Sequence, residues 1–385
     1  MRRLGLTLFA LALTACARPD VTGPVANITG PSLSRGGGDD HDDDNRGSAV
    51  YTITNSTSGN AVRAYSRGSD GSLTFVADYP TGGTGTGGGL GNQGALVFAR
   101  DGRFLIAVNA GSNQLTSFRV SGSGLSLVNS VASGGVMPVS VTSSDGVVYA
   151  LNAGGMGNIS GFRMNDNGML SPIANSTRSL SSAASGAAQV AFDPEGEQLV
   201  VTEKATDKIL TYQIGENGLP GNAMVHASAG KTPFGFEFTD RGVLIVSEAF
   251  GGAAGASAAS SYGLREGGVL TTKSASVPTT QSAACWVAIT PNNQFAYLTN
   301  TGSGTVTGYR ISNSGTLTRL QASGVSATTG AGPIDAAFAN NGRFLYTLNA
   351  GGHSISIFRV DGQGDLVAVG TTTGVPVGAT GLAAR

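Results

Sequence analysis

A short hydrophobic run that ends in Asn or Glu recurs seven times along the chain and limits what it can fold into. The runs read VYTITN (50–55), LIAVN (105–109), VYALN (148–152), LVVTE (199–203), LIVSE (244–248), AYLTN (296–300) and LYTLN (345–349). Their last residues, Asn55, Asn109, Asn152, Glu203, Glu248, Asn300 and Asn349, lie 43 to 54 residues apart. Such a period, with several short strands per unit, is the sequence form of a propeller blade. A unit of this size cannot bury its own apolar face, so a repeat that spans the chain predicts one domain.

The unit from Gly332 to about Gly374 shows the strands plainly. Residues 332–338, 343–349, 354–360 and 365–369 are strand-like, and turns such as Asn340-Asn341-Gly342 and Asp361-Gly362-Gln363-Gly364 separate them. Gly, Asn and Asp supply the positive φ angles that tight hairpins need. The third-strand pattern recurs as AVRAY (61–65), LTSFRV (115–120), ISGFRM (159–164), ILTYQI (209–214) and VTGYRI (306–311). The expected fold is therefore all-β, a seven-bladed propeller with four-stranded antiparallel blades over residues 49–385. The repeat enters at a second strand, Ala49 to Asn55, and leaves on a first strand, residues 378–385. The C-terminal strand should thus join the N-terminal blade and close the ring, covering edges that invite aggregation.

The first 48 residues read differently. Arg2 and Arg3 precede an apolar stretch, Leu4 to Leu13, too short for the roughly 20 residues of a membrane span. Leu13-Thr14-Ala15-Cys16 then resembles the bacterial lipobox, in which the cysteine is diacylated and becomes the mature N-terminus. Residues 1–15 are read as a lipoprotein signal peptide, and two acyl chains on Cys16 would anchor the protein stably in the cell envelope. Residues 16–48 form a Gly- and Asp-rich tether whose composition cannot offset backbone entropy. Its Asp cluster around His41 is a solvated linker or a weak cation attractor, without calcium-loop spacing. Cys16 and Cys285 are the only cysteines, so lipidation leaves no internal disulfide. A net charge of −1 with 12% charged residues provides no basic face for nucleic acid. The chain is expected to be a monomer.

Two insertions stand out, Thr81 to Gly94 (TGGTGTGGGLGNQG) and Ala249 to Ser261 (AFGGAAGASAASS). The first lacks the Lys-Ser/Thr ending of a phosphate loop, so both read as flexible loops able to rim a site. The loops entering the first strands and the turns after the second strands share one face around the central channel. A small-molecule or protein ligand is expected there. Asn109, Asn152, Asn300 and Asn349 are turn residues or substrate-binding groups on this rim. Glu203 and Glu248 gain nothing from the turn. They are candidates for a general acid/base pair or for a divalent cation site, with solvated rim carboxylates as the competing reading. Lys231 is an electrostatic helper or a surface lysine. Gln93, Gln189 and Asp335 lie on the same approach loops, and Gln189 and Asp335 join the substrate-binding candidates. Cys285, beside the single tryptophan Trp286, has no neighbouring His to activate it and reads as a buried structural thiol.

The grammar Pro-x-x-x-x-Phe-x-x-x-Gly-x-x-Leu-Tyr-x-x-Asn followed by Ile-x-x-Phe-Arg-Val resembles that of the lactonase-like seven-bladed propellers. These are relatives of bacterial 6-phosphogluconolactonase and fungal carboxymuconate cyclase. The resemblance implies lactone hydrolysis or its reverse, by a His, an Arg and a Glu around the channel. The residues at those positions here are Ala188, Phe234 and Ala249, with Glu248 displaced by one. Two functions follow as expectations. One is hydrolysis of a lactone or related ester at the channel mouth by Glu203, Glu248 and Lys231. The other is a non-catalytic scaffold that binds a glycan, peptide or protein.

Overall fold

A computed structural model describes residues 47–122 and 124–385, and the proposed signal peptide, Cys16 and the His41 cluster lie outside them. Seven antiparallel sheets follow one another around a ring. From the channel outward, blade 1 runs Thr380–Ala384, Ala49–Ile53, Ala61–Arg67 and Leu73–Pro80. Blades 2 to 7 follow in chain order from the inner strands Leu96–Ala99, Val136–Ser144, Ala187–Phe192, Pro233–Phe238, Ala284–Ile289 and Pro333–Phe338. In blades 3 and 6 the outer strand is split into two short pieces. Closure is as expected: Thr380–Ala384 pairs with Ala49–Ile53, and Arg385 N–H donates to the Ala49 carbonyl at 2.9 Å.

The second strands form the core of each blade. All six residues are buried in Phe104–Asn109, Gln198–Glu203, Val243–Glu248, Phe295–Asn300 and Phe344–Asn349. A strand with partners on both edges and a neighbouring blade on both faces has no solvent side, which explains its unbroken apolar run. The insertion expected at Ala249 to Ser261 is shorter than that. Residues 258–261 already belong to the third strand Ala258–Leu264. Their small side chains, Ala-Ala-Ser-Ser, are buried between blades, and small residues gave no strand signal by propensity.

One glycine per blade joins neighbouring blades. Gly71, Gly168, Gly218, Gly268, Gly315 and Gly364 occupy the turn before the outer strand and Gly124 begins one, all with φ between 74° and 114°. Six of their carbonyls accept a hydroxyl from the preceding blade: Tyr346 to Gly71, Ser117 to Gly168, Tyr149 to Gly218, Thr211 to Gly268, Ser261 to Gly315 and Tyr297 to Gly364. At Gly168 a Cβ would lie 2.2 Å from the Phe104 ring, so only glycine fits both the backbone angle and the space. Gly168→Ala is expected to lower stability by about 2–4 kcal/mol, combining left-handed strain with overpacking. Denaturant unfolding measures this, and a midpoint unchanged from wild type would refute the inter-blade role.

Candidate functional site

The Asn/Glu ring sits at the ends of the second strands, and all seven members are fully buried. It lies beneath the incoming loops and not on an open rim. The Asn55 side chain donates to the Gly88 carbonyl at 2.6 Å and accepts from Thr86 N–H at 3.0 Å, fastening the glycine-rich insertion. Asn109 accepts from Asn60 and Thr81 and donates to Thr116 at 2.9 Å. Asn152 donates to the Ser133 carbonyl and Asn158, Asn300 to Thr305 and Thr307, and Asn349 to Ser354 and Ser356. Of the five asparagines only Asn55 has positive φ, so the others fasten loops and third strands through their amides.

The two carboxylates fill the same role. Glu203 accepts from the Ser181 N–H at 2.8 Å, from the Ser181 hydroxyl and from Thr206 at 2.6 Å. Glu248 accepts from Gly230 N–H at 2.8 Å, from Ser276 at 2.7 Å and from Ser260. Burial pushes the Glu248 carboxyl up, and these three donors pull it back. Among the described residues the two glutamates share no hydrogen-bond partner, and each is held by its own blade and by the loop that enters that blade. Lys231 is exposed on the loop entering blade 5. No group of three or more His, Cys, Asp or Glu among the described residues is placed to hold a metal ion.

Gln189 and Asp335 lie inside the channel. An inner strand has no neighbour on its channel edge, so its N–H and C=O groups need other partners. Side chains of the preceding blade supply them. Ser140 accepts from Val190 N–H at 3.2 Å. The Gln189 amide brackets Phe236, accepting from its N–H at 2.7 Å and donating to its carbonyl at 2.9 Å. Glu237 accepts from Ile289 N–H at 2.5 Å, and Asp335 accepts from the Leu382 and Ala336 amides.

Six of the seven inner strands share a register shift near their start, around Val139, Ala188, Phe234, Cys285 and Ile334, with its counterpart at blade closure near Gly381. Bulges of this kind re-aim side chains near binding sites. Here the re-aimed side chains are apolar and buried, and Ala188, Phe234, Cys285, Trp286 and Ile334 pack in one cluster. Phe234 and Trp286 have ring centroids 5.1 Å apart, and Lys204 Nζ lies 4.5 Å from the Phe234 centroid. Cys285 is buried with its thiol on the Ala283 carbonyl at 3.2 Å, as a structural cysteine would be.

The glycine-rich insertion runs into the channel mouth. Lys204 Nζ donates to the Gly91 carbonyl, Trp286 Nε1 to the Asn92 carbonyl, and the Asn92 amide to the Val139 carbonyl. Gln93 N–H donates to the Ala188 carbonyl at 3.2 Å. Its amide brackets Val287, donating to the carbonyl at 2.8 Å and accepting from the N–H at 3.1 Å. Val287 is the blade 6 counterpart of Phe236. The blade 5 residue that should cap it is Gly235, which has no side chain. A Cβ there would lie 2.1 Å from Gln93 Oε1, so Gln93 occupies the vacancy that Gly235 leaves. The sequence marked Gln93 and Trp286 separately. Lys204, which the sequence offers as an ion-pair partner of Glu203, bonds the Gly91 carbonyl instead, and the vacancy at Gly235 carried no signal in the sequence.

Burial pushes the Asp335 carboxyl up to about 8, against the pull of its two amide donors. An unfolded Asp titrates near ~4, so the native state holds the extra proton between the two values. Its contribution is therefore fully present below about pH 4 and is lost as pH rises toward about 8. Asp335→Asn should flatten the fall in melting temperature across that window. A slope identical to wild type would show that Asp335 does not titrate there.

A model of the seven-bladed lactonase β-propeller family matches residues 43–181 and 257–384. The unmatched stretch between them carries Ala188, Glu203, Lys204, Lys231, Phe234 and Glu248. No curated protein matches the sequence. Among solved structures, provisionally named 6-phosphogluconolactonases of Bacteroides fragilis and Bacteroides uniformis superpose with a TM-score of 0.70 at 18% identity. The alignments cover 88% and 87% of this chain and 98% and 99% of theirs. The Pseudomonas aeruginosa periplasmic gluconolactonase superposes with a TM-score of 0.67 at 18% identity, over 86% of this chain and 98% of that one.

Proposed function

Because this chain belongs to the seven-bladed lactonase β-propeller family, we propose that it binds a small polar ligand at the channel mouth. We propose further that it does so without the family's His and Arg chemistry. One observation carries this reading: Ala188 and Phe234, where the resemblance puts those groups, are buried apolar residues packed against Trp286. An acid/base group must reach the reacting atoms, and Glu203 and Glu248 are turned inward onto their own loops. The Ala188 and Phe234 positions fall in blade 4 and the inner half of blade 5, the stretch that the family model leaves unmatched. The rest of the frame is that of a lactonase propeller.

Lactone hydrolysis is the second reading, favoured by family membership. A panel that includes glucono-δ-lactone separates the two. The binding reading expects no turnover above the spontaneous rate. It expects Glu203→Gln and Glu248→Gln each to lose roughly 1–3 kcal/mol of stability, since an amide sets a donor against donors. Turnover by wild type that disappears in folded Glu203→Gln or Glu248→Gln protein would establish the hydrolase instead.

We also propose that Cys16 is lipidated and holds the propeller at the bacterial envelope, as the Leu13-Thr14-Ala15-Cys16 sequence suggests. Cys16→Ser should move the protein from the membrane fraction to the soluble fraction. Retention at the membrane would refute the anchor.

A further inference from the structure

We infer that the seam between blades 7 and 1, on the outer rim of the ring, docks an extended peptide by the carboxamide of an asparagine or glutamine. The site stands apart from the channel mouth and does not depend on what binds there.

The chemistry follows from how neighbouring blades meet at their outer strands. Near the start of an outer strand one leucine sits opposite a third-strand residue that gives its own N–H to the second-strand side: Val120, Met164 and Ile311 do so. The leucine then points its N–H and C=O outward, toward the preceding blade. In three seams that blade supplies a partner. Leu125 N–H donates to the Tyr79 hydroxyl, and Leu317 N–H donates to Ser274 Oγ at 3.0 Å. Leu170 meets a whole amide, donating to Asn129 Oδ1 at 3.0 Å and accepting from Asn129 Nδ2 at 2.9 Å.

Leu73 is the corresponding residue of blade 1, opposite Arg67, whose N–H goes to the Ser48 carbonyl. The residue of blade 7 in register with Asn129 is Gly370. Asn129 lies opposite Ser117 and Gly370 opposite Ile357, each beside the same bulge. A Cβ at Gly370 would meet nothing within 4 Å, so the place that Asn129 fills is vacant here. The Leu73 carbonyl has a Thr372 hydroxyl at 3.5 Å, and its N–H has no partner among the described residues.

A groove of about 500 Å³ opens at this seam, lined by Arg63, Tyr65, Leu73, Phe75 and residues 371–374 among others. The Tyr65 hydroxyl is buried beside the Arg63 guanidinium without a well-formed hydrogen bond, a second donor in want of an acceptor. Arg63 is held by both Asp78 oxygens at 2.7 Å, so the groove offers no uncompensated positive charge. A carboxylate would gain little there and would face the Leu73 carbonyl. A primary amide serves N–H and carbonyl together, as Asn129 does for Leu170.

The main chain of the occupant has a track to follow. Leu366–Thr373 is the outermost strand of blade 7, and its outer edge is unpaired. It contains no charged residue and no proline, whereas the outer strands of blades 1 and 5 carry Asp78 with Pro80 and Lys273 with Pro278. Edges without such guards are the ones open to strand addition. Residues 371–373 belong both to this edge and to the groove, so a strand laid along the edge brings a side chain to Leu73.

The test follows the Leu73 amide signal by nuclear magnetic resonance in full-length protein carrying isotope-labelled leucine, assigned by its loss in Leu73→Ile. The probes are the tripeptides Val-Asn-Val, Val-Asp-Val and Val-Leu-Val, capped by acetyl and N-methylamide groups. Val-Asn-Val should shift Leu73 saturably, and the other two should bind about tenfold more weakly or less, the factor for about one hydrogen bond. Gly370→Asn supplies the missing carboxamide from within. It should slow solvent exchange of the Leu73 N–H, raise the unfolding midpoint above that of Gly370→Ala, and weaken Val-Asn-Val binding about tenfold. Tyr65→Phe should weaken binding severalfold without lowering the midpoint, a split that a merely structural hydroxyl would not give. If Gly370→Asn does not fold, Gly370→Ser, patterned on Ser274, takes its place with the same expectation.

A Leu73 signal unmoved by Val-Asn-Val in wild type would overturn the inference. So would equal binding of the three peptides, or undiminished binding in the folded Gly370 variant. A Leu73 shift caused by chitobiose and by none of the peptides would overturn it in favour of a sugar site.

Discussion

Everything at the centre of this ring follows from the unpaired edge of its inner strands. Each inner strand bonds its own blade on one side and faces the channel on the other. Its outward N–H and C=O groups are too far from bulk water to be left unsatisfied. The solution is a side chain from the preceding blade, placed one register step beyond the bulge: Ser140, Gln189 and Asp335 at this position, helped by Glu237 lower in the channel. A polar residue in the channel is therefore first a cap for backbone and only then available for chemistry.

The same constraint accounts for the ring of strand-end residues. A loop that crosses from one blade to the next carries backbone groups of its own, and Asn or Glu at the end of the second strand takes them up. At Asn55, Glu203 and Glu248 the residue matches what the loop presents, whereas the Asn300 and Asn349 amides donate only to third-strand hydroxyls. Asn55 meets both a carbonyl and an N–H, which an amide can serve together. Glu203 and Glu248 meet only N–H and hydroxyl donors, for which a carboxylate is the matching acceptor.

The fold was legible because its rules are local. A period in the second strands, turn residues at fixed offsets and the phase of the two termini were enough for seven blades and their closure. The site was less legible because its rules join distant residues. That Glu203 faces Ser181 and Thr206 depends on which loop passes under the strand, and sequence spacing does not encode that. Gln189 and Asp335 were expected on the loops approaching this face, and the structure places them instead within the inner strands Ala187–Phe192 and Pro333–Phe338, bonded to Phe236 and to the Leu382 and Ala336 amides. Gly235 is a single glycine among sixty in the chain, and its meaning appears only when Gln93, 142 positions earlier, fills the space beside it.

The composition of the insertion bears on how firmly that space is held. Eight of the fourteen residues from Thr81 to Gly94 are glycine. At Gly85 this serves close approach, since a Cβ would lie 2.1 Å from the Asn55 carbonyl carbon. Gly82 and Gly87 are held at φ 77° and 78°, where any other residue would be strained. Gly88 has neither a close neighbour nor a positive φ, so it adds only conformational freedom that ordering the loop must remove. What keeps the loop seated is therefore its hydrogen bonds to Asn55, Val139, Lys204, Trp286 and Val287, the fixed groups that surround it.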